Sequence, residues 1–308
     1  MYGSHFYCIG PKTFFRKGFF SAPLHRIWKI CRKKIRNIPA TKIGIIHIFS
    51  YLGHGVFSIY TTDIIHTTMS IRSLFGGKRK KITDYPTDVL TARDGTSFTI
   101  HFFKHAALAI GVGEKYVYVD PVNGYADYGV LPKADVLLVT HSHYDHLDRA
   151  ATDELLTPHS EILCDRTSAE AFEMNCHTMR PGSVATPCDW LKVEAVAAYN
   201  TSPDHRQFHP RDREDCGYVL TIGGTRIYIA GDTEPTPEMK ALRGIDIAFL
   251  PVNQPYTMTV DQAVEAVKAL HPAIFYPYHY GEVEEKTDID RLVRELEGIT
   301  EVRVRPME

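Results

Sequence analysis

His141-Ser-His143-Tyr-Asp145-His146-Leu-Asp148 holds three histidines and two carboxylates in eight residues. It follows Ala134-Asp-Val-Leu-Leu-Val-Thr140, a near-continuous apolar run that reads as a strand buried on both faces. Such a strand fixes the loop behind it, and loops held that way carry sites. His141 and His143 are two apart, so in extended backbone they point the same way. A turn after them lets Asp145 and His146 face a second position. One loop can thus serve two adjacent metal ions. Imidazole and carboxylate donors suit zinc, and also iron or manganese.

Outward from this loop, the chain alternates strands and helices. Ser97–Phe103, Ala106–Ile110 and Lys115–Asp120 precede it as strands rich in β-branched and aromatic residues. A helix over Ala150–Leu156, a strand over Glu161–Cys164, a helix over Thr167–Met174 and a strand over Leu191–Tyr199 follow it. Cys216–Ala230 is two alternating runs around Gly223-Gly224, which predicts a β-hairpin with a primed turn. Pro237–Leu242 reads as a short helix and Asp246–Pro251 as a buried strand. Thr259 caps a helix over Val260–Leu270 whose apolar face is Ala263, Val264, Val267 and Leu270. A strand over Ala273–Tyr278, a helix over Asp288–Leu296 and a strand over Glu301–Arg305 complete the pattern. This order, β-rich first and then alternating, predicts an α/β architecture of packed sheets with helices outside.

The 308 residues carry a net charge of −2, unevenly distributed. Residues 1–82 hold 15 Lys and Arg against the single acid Asp63; residues 83–308 hold 20 bases against 36 acids. That asymmetry places a domain boundary near residue 82. The acidic part excludes a nucleic-acid-binding core. The basic part mixes aromatic and basic residues with no helical or strand period, and reads as a disordered arm or as translated sequence ahead of a true start at Met69. An organelle transit peptide is a further reading of its composition. Its uncharged stretch, residues 44–62, contains His47, His54 and several hydroxyl groups, which make it a poor membrane span. The six cysteines, Cys8, Cys31, Cys164, Cys176, Cys188 and Cys216, form no C-x-x-C pair and read as free thiols of a reducing, cytoplasmic compartment.

The His-rich loop, with Asp120-Pro121, Gly231-Asp232-Thr233 and Tyr278-His279-Tyr280-Gly281 in that order across residues 95–281, resembles the metallo-β-lactamase superfamily. Lys104-His105-Ala106, Tyr199-Asn200, Tyr228–Asp232 and Pro255–Met258 are similar to its ascorbate-6-phosphate lactonase-like and N-acyl-phosphatidylethanolamine phospholipase D-like branch. The resemblance implies an αββα sandwich and a site for two zinc ions, with Mn2+ or Fe2+ the other candidates. His141 and His143 would hold the first ion, and Asp145, His146 and His279 the second. Asp232 would bridge them. Where the family usually has another histidine, this chain has Asn200, and amide oxygen is a weak ligand for such ions. His205 or His209 would then complete the first set, unless Asn200 serves alone. His209 is favoured because Pro210 restrains its backbone. His105 is placed to hydrogen-bond a ligand-bearing loop.

The resemblance implies a hydrolase in which a metal-activated hydroxide attacks an ester, lactone or phosphodiester. Asp145 or Asp232 would orient the nucleophile and carry its proton. The alternatives are a non-catalytic metal- or ligand-binding protein, its first site weakened by Asn200, and a di-iron redox protein of the same fold. No G-x-S-x-G elbow supports serine chemistry. Arg206, Arg211 and Arg213 share one loop, so an anionic small molecule is the expected partner, although Asp212, Glu214 and Asp215 balance their charge. Neither nucleic acid nor stable membrane insertion is expected.

Overall fold

The computed structural model describes residues 79–308 except 174 and 282–285, together with the backbone of 47–50, 56–60 and 67–70. The chain divides into two compact units, Met1–Lys78 and Arg79–Glu308. In the first, β1 (His47–Ser50), β2 (Val56–Tyr60) and β3 (Thr67–Ser70) pair as an antiparallel sheet. The rest of residues 1–78 lies outside the described residues, as does much of the stretch read as a poor membrane span. So do the proposals of a disordered arm, a transit peptide or a start at Met69. No helix among the described residues is long and apolar enough to cross a membrane.

The second unit contains two seven-stranded sheets built to one plan. In the first sheet β4 (Thr87–Thr91), β5 (Ser97–Lys104), β6 (Ala107–Val112) and β7 (Lys115–Val119) form an antiparallel meander. β8 (Val136–Val139), β9 (Glu161–Asp165) and β10 (His177–Met179) continue it in parallel. In the second sheet β11 (Val184–Cys188), β12 (Leu191–Ala197), β13 (Cys216–Ile222) and β14 (Thr225–Ile229) are the meander. β15 (Ile247–Pro251), β16 (Ile274–Tyr278) and β17 (Glu301–Val302) are its parallel extension. Helices α1 (Arg149–Leu155), α2 (Pro237–Lys240), α3 (Val260–Leu270) and α4 (Ile289–Glu295) complete the sandwich.

Strand alternation distributes the core. Ile100, Phe102, Val136 and Leu138 face the second sheet, where Phe102 meets Phe249 and Tyr276 with ring centroids 6.3 and 5.2 Å apart. Phe103, Leu137 and Val139 face outward, onto Ala151 and Leu155 of α1. All four β8 side chains are therefore buried, each contributing roughly 1.5–3 kcal/mol by leaving water. That burial anchors the His-rich loop. The hairpin turn at Gly223-Gly224 has φ of +51° and +79°, the conformation a primed turn requires and glycine permits.

Two elements differ from expectation. The helix expected over Thr167–Met174 is not an α-helix over its described residues, 167–173: Asp165 accepts hydrogen bonds from the Thr167 and Ser168 amides, and only a 3-10 turn over Ala169–Phe172 follows, ended by Glu173 at φ +53°. The last strand stops at Val302. Beyond it, Arg303 and Arg305 turn to Asp88.

Candidate metal centre

The connections that leave the C-terminal ends of β7, β8, β12, β14 and β16 converge, and parallel strands ordinarily present sites at that end. Asp120 follows β7, the His-rich loop follows β8, Asn200 follows β12, Asp232 follows β14 and His279 follows β16. Gly231, at φ +67°, lets the chain turn here, since a Cβ would stand 3.1 Å from Thr140 Cβ and 3.2 Å from the Cys216 carbonyl oxygen.

Three overlapping clusters result, each with ligand atoms within 4.8 Å of one another: His141, His143 and His209; His105, Asp145, His146 and His279; and His141, His146 and Asp232. In the first, His141 Nε2 lies 3.0 Å from His143 Nδ1. His209 Nε2 lies 3.4 Å from Asp232 Oδ2. In the second, His279 Nε2 lies 3.7 Å from Asp145 Oδ2 and 3.2 Å from Asp232 Oδ2, and His146 Nε2 lies 3.3 Å from Asp232 Oδ1. Asp232 thus stands between both sets.

Hydrogen bonds behind the rings decide which nitrogen faces inward. His146 Nδ1 donates to Asp120 Oδ2 at 2.8 Å, which turns Nε2 toward Asp232. Asp120 also accepts from the Thr140 amide and hydroxyl, and that hydroxyl accepts from His141 Nδ1 at 3.0 Å. His105 Nε2 donates to Asp145 Oδ2 at 3.1 Å, and the His105 carbonyl accepts from the His279 amide. This is the loop-holding contact anticipated for His105.

His209 stands beside His141 and His143, whereas the side-chain nitrogen of Asn200 and the ring of His205 are engaged elsewhere; the Asn200 Oδ1 is buried without a hydrogen-bond partner. Asn200 Nδ2 donates to the carbonyls of His205 and Tyr256, and the Asn200 amide to the carbonyl of His209. His205 Nδ1 faces Glu234 at 3.2 Å. Glu234, fully buried, also accepts from the amides of Thr201 and Ser202 and the Thr201 hydroxyl. The chain therefore uses positions 200 and 234 to hold the loop that delivers His209.

Charges divide along the same line. Burial, then the neighbouring His146 charge, pushes His141 well below the usual imidazole range. Burial, His209 and Arg213 lower His143 to about 4. Burial also opposes a proton on His279, but Asp232 and Asp145 raise it to about 9. Against the same burial, Asp232 and Asp120 raise His146. Burial would raise the carboxyls of Asp145 and Asp232, yet their histidine partners hold both low.

These donors fit a cation. His146 Nε2, His279 Nε2 and Asp232 Oδ1 are buried without a hydrogen-bond partner, an arrangement costly unless something positive lies between them.

Glu234 and Thr140 went unnoticed in the sequence, whereas Arg213 was marked there only as one of three loop arginines that could meet an anion. Arg213 and Asp215 read there as part of a balanced charged loop, and only Thr140, next to His141, had a positional hint.

A family profile, the beta-lactamase superfamily domain, matches residues 99–279. A UPF0173 metal-dependent hydrolase of Symbiobacterium thermophilum is 30% identical over 235 residues, which span 68% of this chain and 97% of that protein. One from Thermoplasma acidophilum is 35% identical over 187 residues, 57% of this chain and 80% of that protein. The crystal structure of a candidate metal-dependent hydrolase from Parabacteroides distasonis superposes with a TM-score of 0.69 at 44% identity, covering 73% of this chain and all of that one.

Proposed function

Because this chain belongs to the metallo-β-lactamase superfamily and is a metal-dependent hydrolase, we propose that it works with two cations, zinc first among them, on an ester, lactone or phosphodiester. The observation that carries this reading is Asp232, whose carboxylate lies within 4 Å of histidines from both clusters. His141, His143 and His209 would hold one ion; Asp145, His146 and His279 would hold the other; Asp232 would serve both. Bound there, the cations supply hydroxide near neutral pH and stabilise negative charge developing on the substrate.

The chain's own residues supply order and proton traffic. Asp120 and Thr140 fix the His146 and His141 rings, so the donors need no rearrangement. Asp145, half-buried and held by His105, is our candidate to orient the nucleophile and carry its proton. We set aside the ligand-sensor alternative, which rested on Asn200 leaving the first set short, because His209 stands with His141 and His143.

Metal per chain, measured beside hydrolysis of bis(p-nitrophenyl) phosphate, p-nitrophenyl acetate and a simple lactone, tests the proposal. Turnover of at least one substrate, lost to a chelator and restored by zinc, is expected. A metal-replete protein inert toward all three overturns it.

We also propose that residues 83–308 are the hydrolase domain and 1–82 a separate basic extension. The supports are the charge asymmetry and a unit boundary after Lys78. A chain beginning at Arg79 should keep its turnover and melting temperature; precipitation would contradict the division. The cytoplasm is the compartment we propose, on the free thiols of Cys164, Cys176, Cys188 and Cys216.

A further inference from the structure

The three arginines of the loop before β13 have different fates. Arg206 donates to the Thr201 carbonyl through Nε and Nη2. Arg211 pairs with Glu238 at 2.8 Å and lies over the Tyr199 ring. Arg213 alone reaches the metal centre. Its Nε donates to Asp215, its Nη2 lies 3.3 Å from Ser142 Oγ, and its Nη1 lies 2.9 Å from His143 Nε2.

That last contact is incompatible with a cation on His143. The His143 nitrogen that faces His141 is Nδ1. With Nδ1 engaged, the ring's proton must sit on Nε2, which then donates. A guanidinium has only donors. Metal loading therefore sets two donors against each other at a position where a ligating histidine ordinarily finds a carboxylate, a carbonyl or water. The carboxylates nearby are placed for other groups. Asp215 is buried, holds Arg213 Nε and has its Oδ2 3.8 Å from His209 Nδ1, and Glu214 is taken by Arg166 and Arg180 at 3.3 and 3.0 Å. The Arg213 side chain is one-quarter exposed, so Nη1 can turn toward the open side.

We propose that Arg213 is the oxyanion anchor of the substrate. In the loaded protein Nη1, with the exposed Ser142 hydroxyl beside it, binds a phosphate or carboxylate oxygen next to the first cation. The inference rests on the hydrolase reading and names its substrate class as anionic. Guanidinium recognises both oxyanions in the same way, through charge-assisted N–H donation.

The test is calorimetric titration of inorganic phosphate, and separately of acetate, into metal-loaded wild type, Arg213→Gln and Arg213→Lys, with metal per chain measured on each sample. Arg213→Gln should weaken phosphate binding about tenfold or more, the loss of one charge-assisted contact, with metal content unchanged. Arg213→Lys, which keeps the charge without the fork, should fall between. In metal-free protein, where Nη1 remains on His143, wild type and Arg213→Gln should bind phosphate alike. Acetate that shows the same dependence on Arg213 marks a carboxylate substrate; phosphate alone marks a phosphoryl group. Equal phosphate affinity in loaded wild type and Arg213→Gln overturns the proposal, since the anion then sits on the cations alone. Loss of metal from both variants also overturns it, because Arg213 then only braces His143. A wild-type chain that binds no cation contradicts the hydrolase reading itself.

Discussion

His143 and His146 stand three residues apart in one loop, yet their surroundings are opposite. Behind His146 is a buried carboxylate, Asp120, at 2.8 Å; behind His143 is a guanidinium, Arg213, at 2.9 Å. Against burial, Asp232 and then Asp120 make the His146 imidazole more basic, and Asp120 holds the ring. Burial, His209 and then Arg213 make the His143 imidazole less basic, and its outer edge is half-buried. On the proposed two-cation reading, the His146 side, with His279 and Asp145 braced by His105, would be the firmer seat for a cation. The His143 side borrows its third histidine from a loop and opens toward solvent, where a substrate would enter. Two clusters of similar ligands can thus differ in purpose through what stands behind them.

The largest effect should come from removing what the clusters share. Asp232→Ala should lower metal content at both and cut hydrolysis by about 1,000-fold or more, the several kcal/mol of transition-state stabilisation that metal sites supply. Metal analysis and turnover on one sample check it. Near-normal turnover with two ions would break the comparison at its root.

Next come the variants that should separate the clusters. His209→Ala should leave one ion per chain, and the retained ion should be the one on the His146 side. Asp120→Asn should instead weaken the His146 side by about 10- to 100-fold while the His143 side holds, the usual cost of losing the group that orients a ligating histidine. Metal titrations followed by spectroscopy of a cobalt-substituted protein distinguish the two. Identical losses in both variants would mean that the ions bind as one unit.

A further effect is one of pH. A cation must displace protons from its ligands. His279 is raised to about 9 and His146 is raised as well, so zinc affinity on that side should climb as pH goes from 6.5 to 9, about tenfold per pH unit for each proton displaced. His143, lowered to about 4, is already deprotonated across that range, so its side should respond little. The metal-free chain shows the reverse sign. The stability that charged His279 contributes is fully present below pH 6.5 and is lost as pH rises through about 9. Its melting temperature should therefore decline over that interval, and a rise would contradict the pairing of His279 with Asp232 and Asp145.

How far these features were legible in the sequence follows from their range. The His-rich loop and the Gly223-Gly224 hairpin are local patterns, and β8 declares its two-sided burial in four consecutive apolar residues. The loop histidine with a restrained backbone, His209, was readable from its proline. By contrast β4, Thr-Asp-Val-Leu-Thr, does not alternate apolar and polar residues, and β11 contains Pro187, so neither shows a strand pattern in sequence. The arrangement behind the histidines was the least legible. Asp120 meets His146 across 26 residues, Glu234 meets Thr201 across 33, and Arg213 meets His143 across 70. Such contacts are products of the sheet order, and no spacing in the chain announces them.

The central claim is that the two clusters hold separate ions and that His209, not Asn200, completes the first. A crystal structure of the zinc-loaded protein, with the ions located by anomalous scattering, tests it most directly. The account predicts two zinc positions, one within bonding distance of His141, His143 and His209, the other of Asp145, His146 and His279, with Asp232 touching both. A single zinc, or a first zinc bound by Asn200 with His209 turned away, would contradict it.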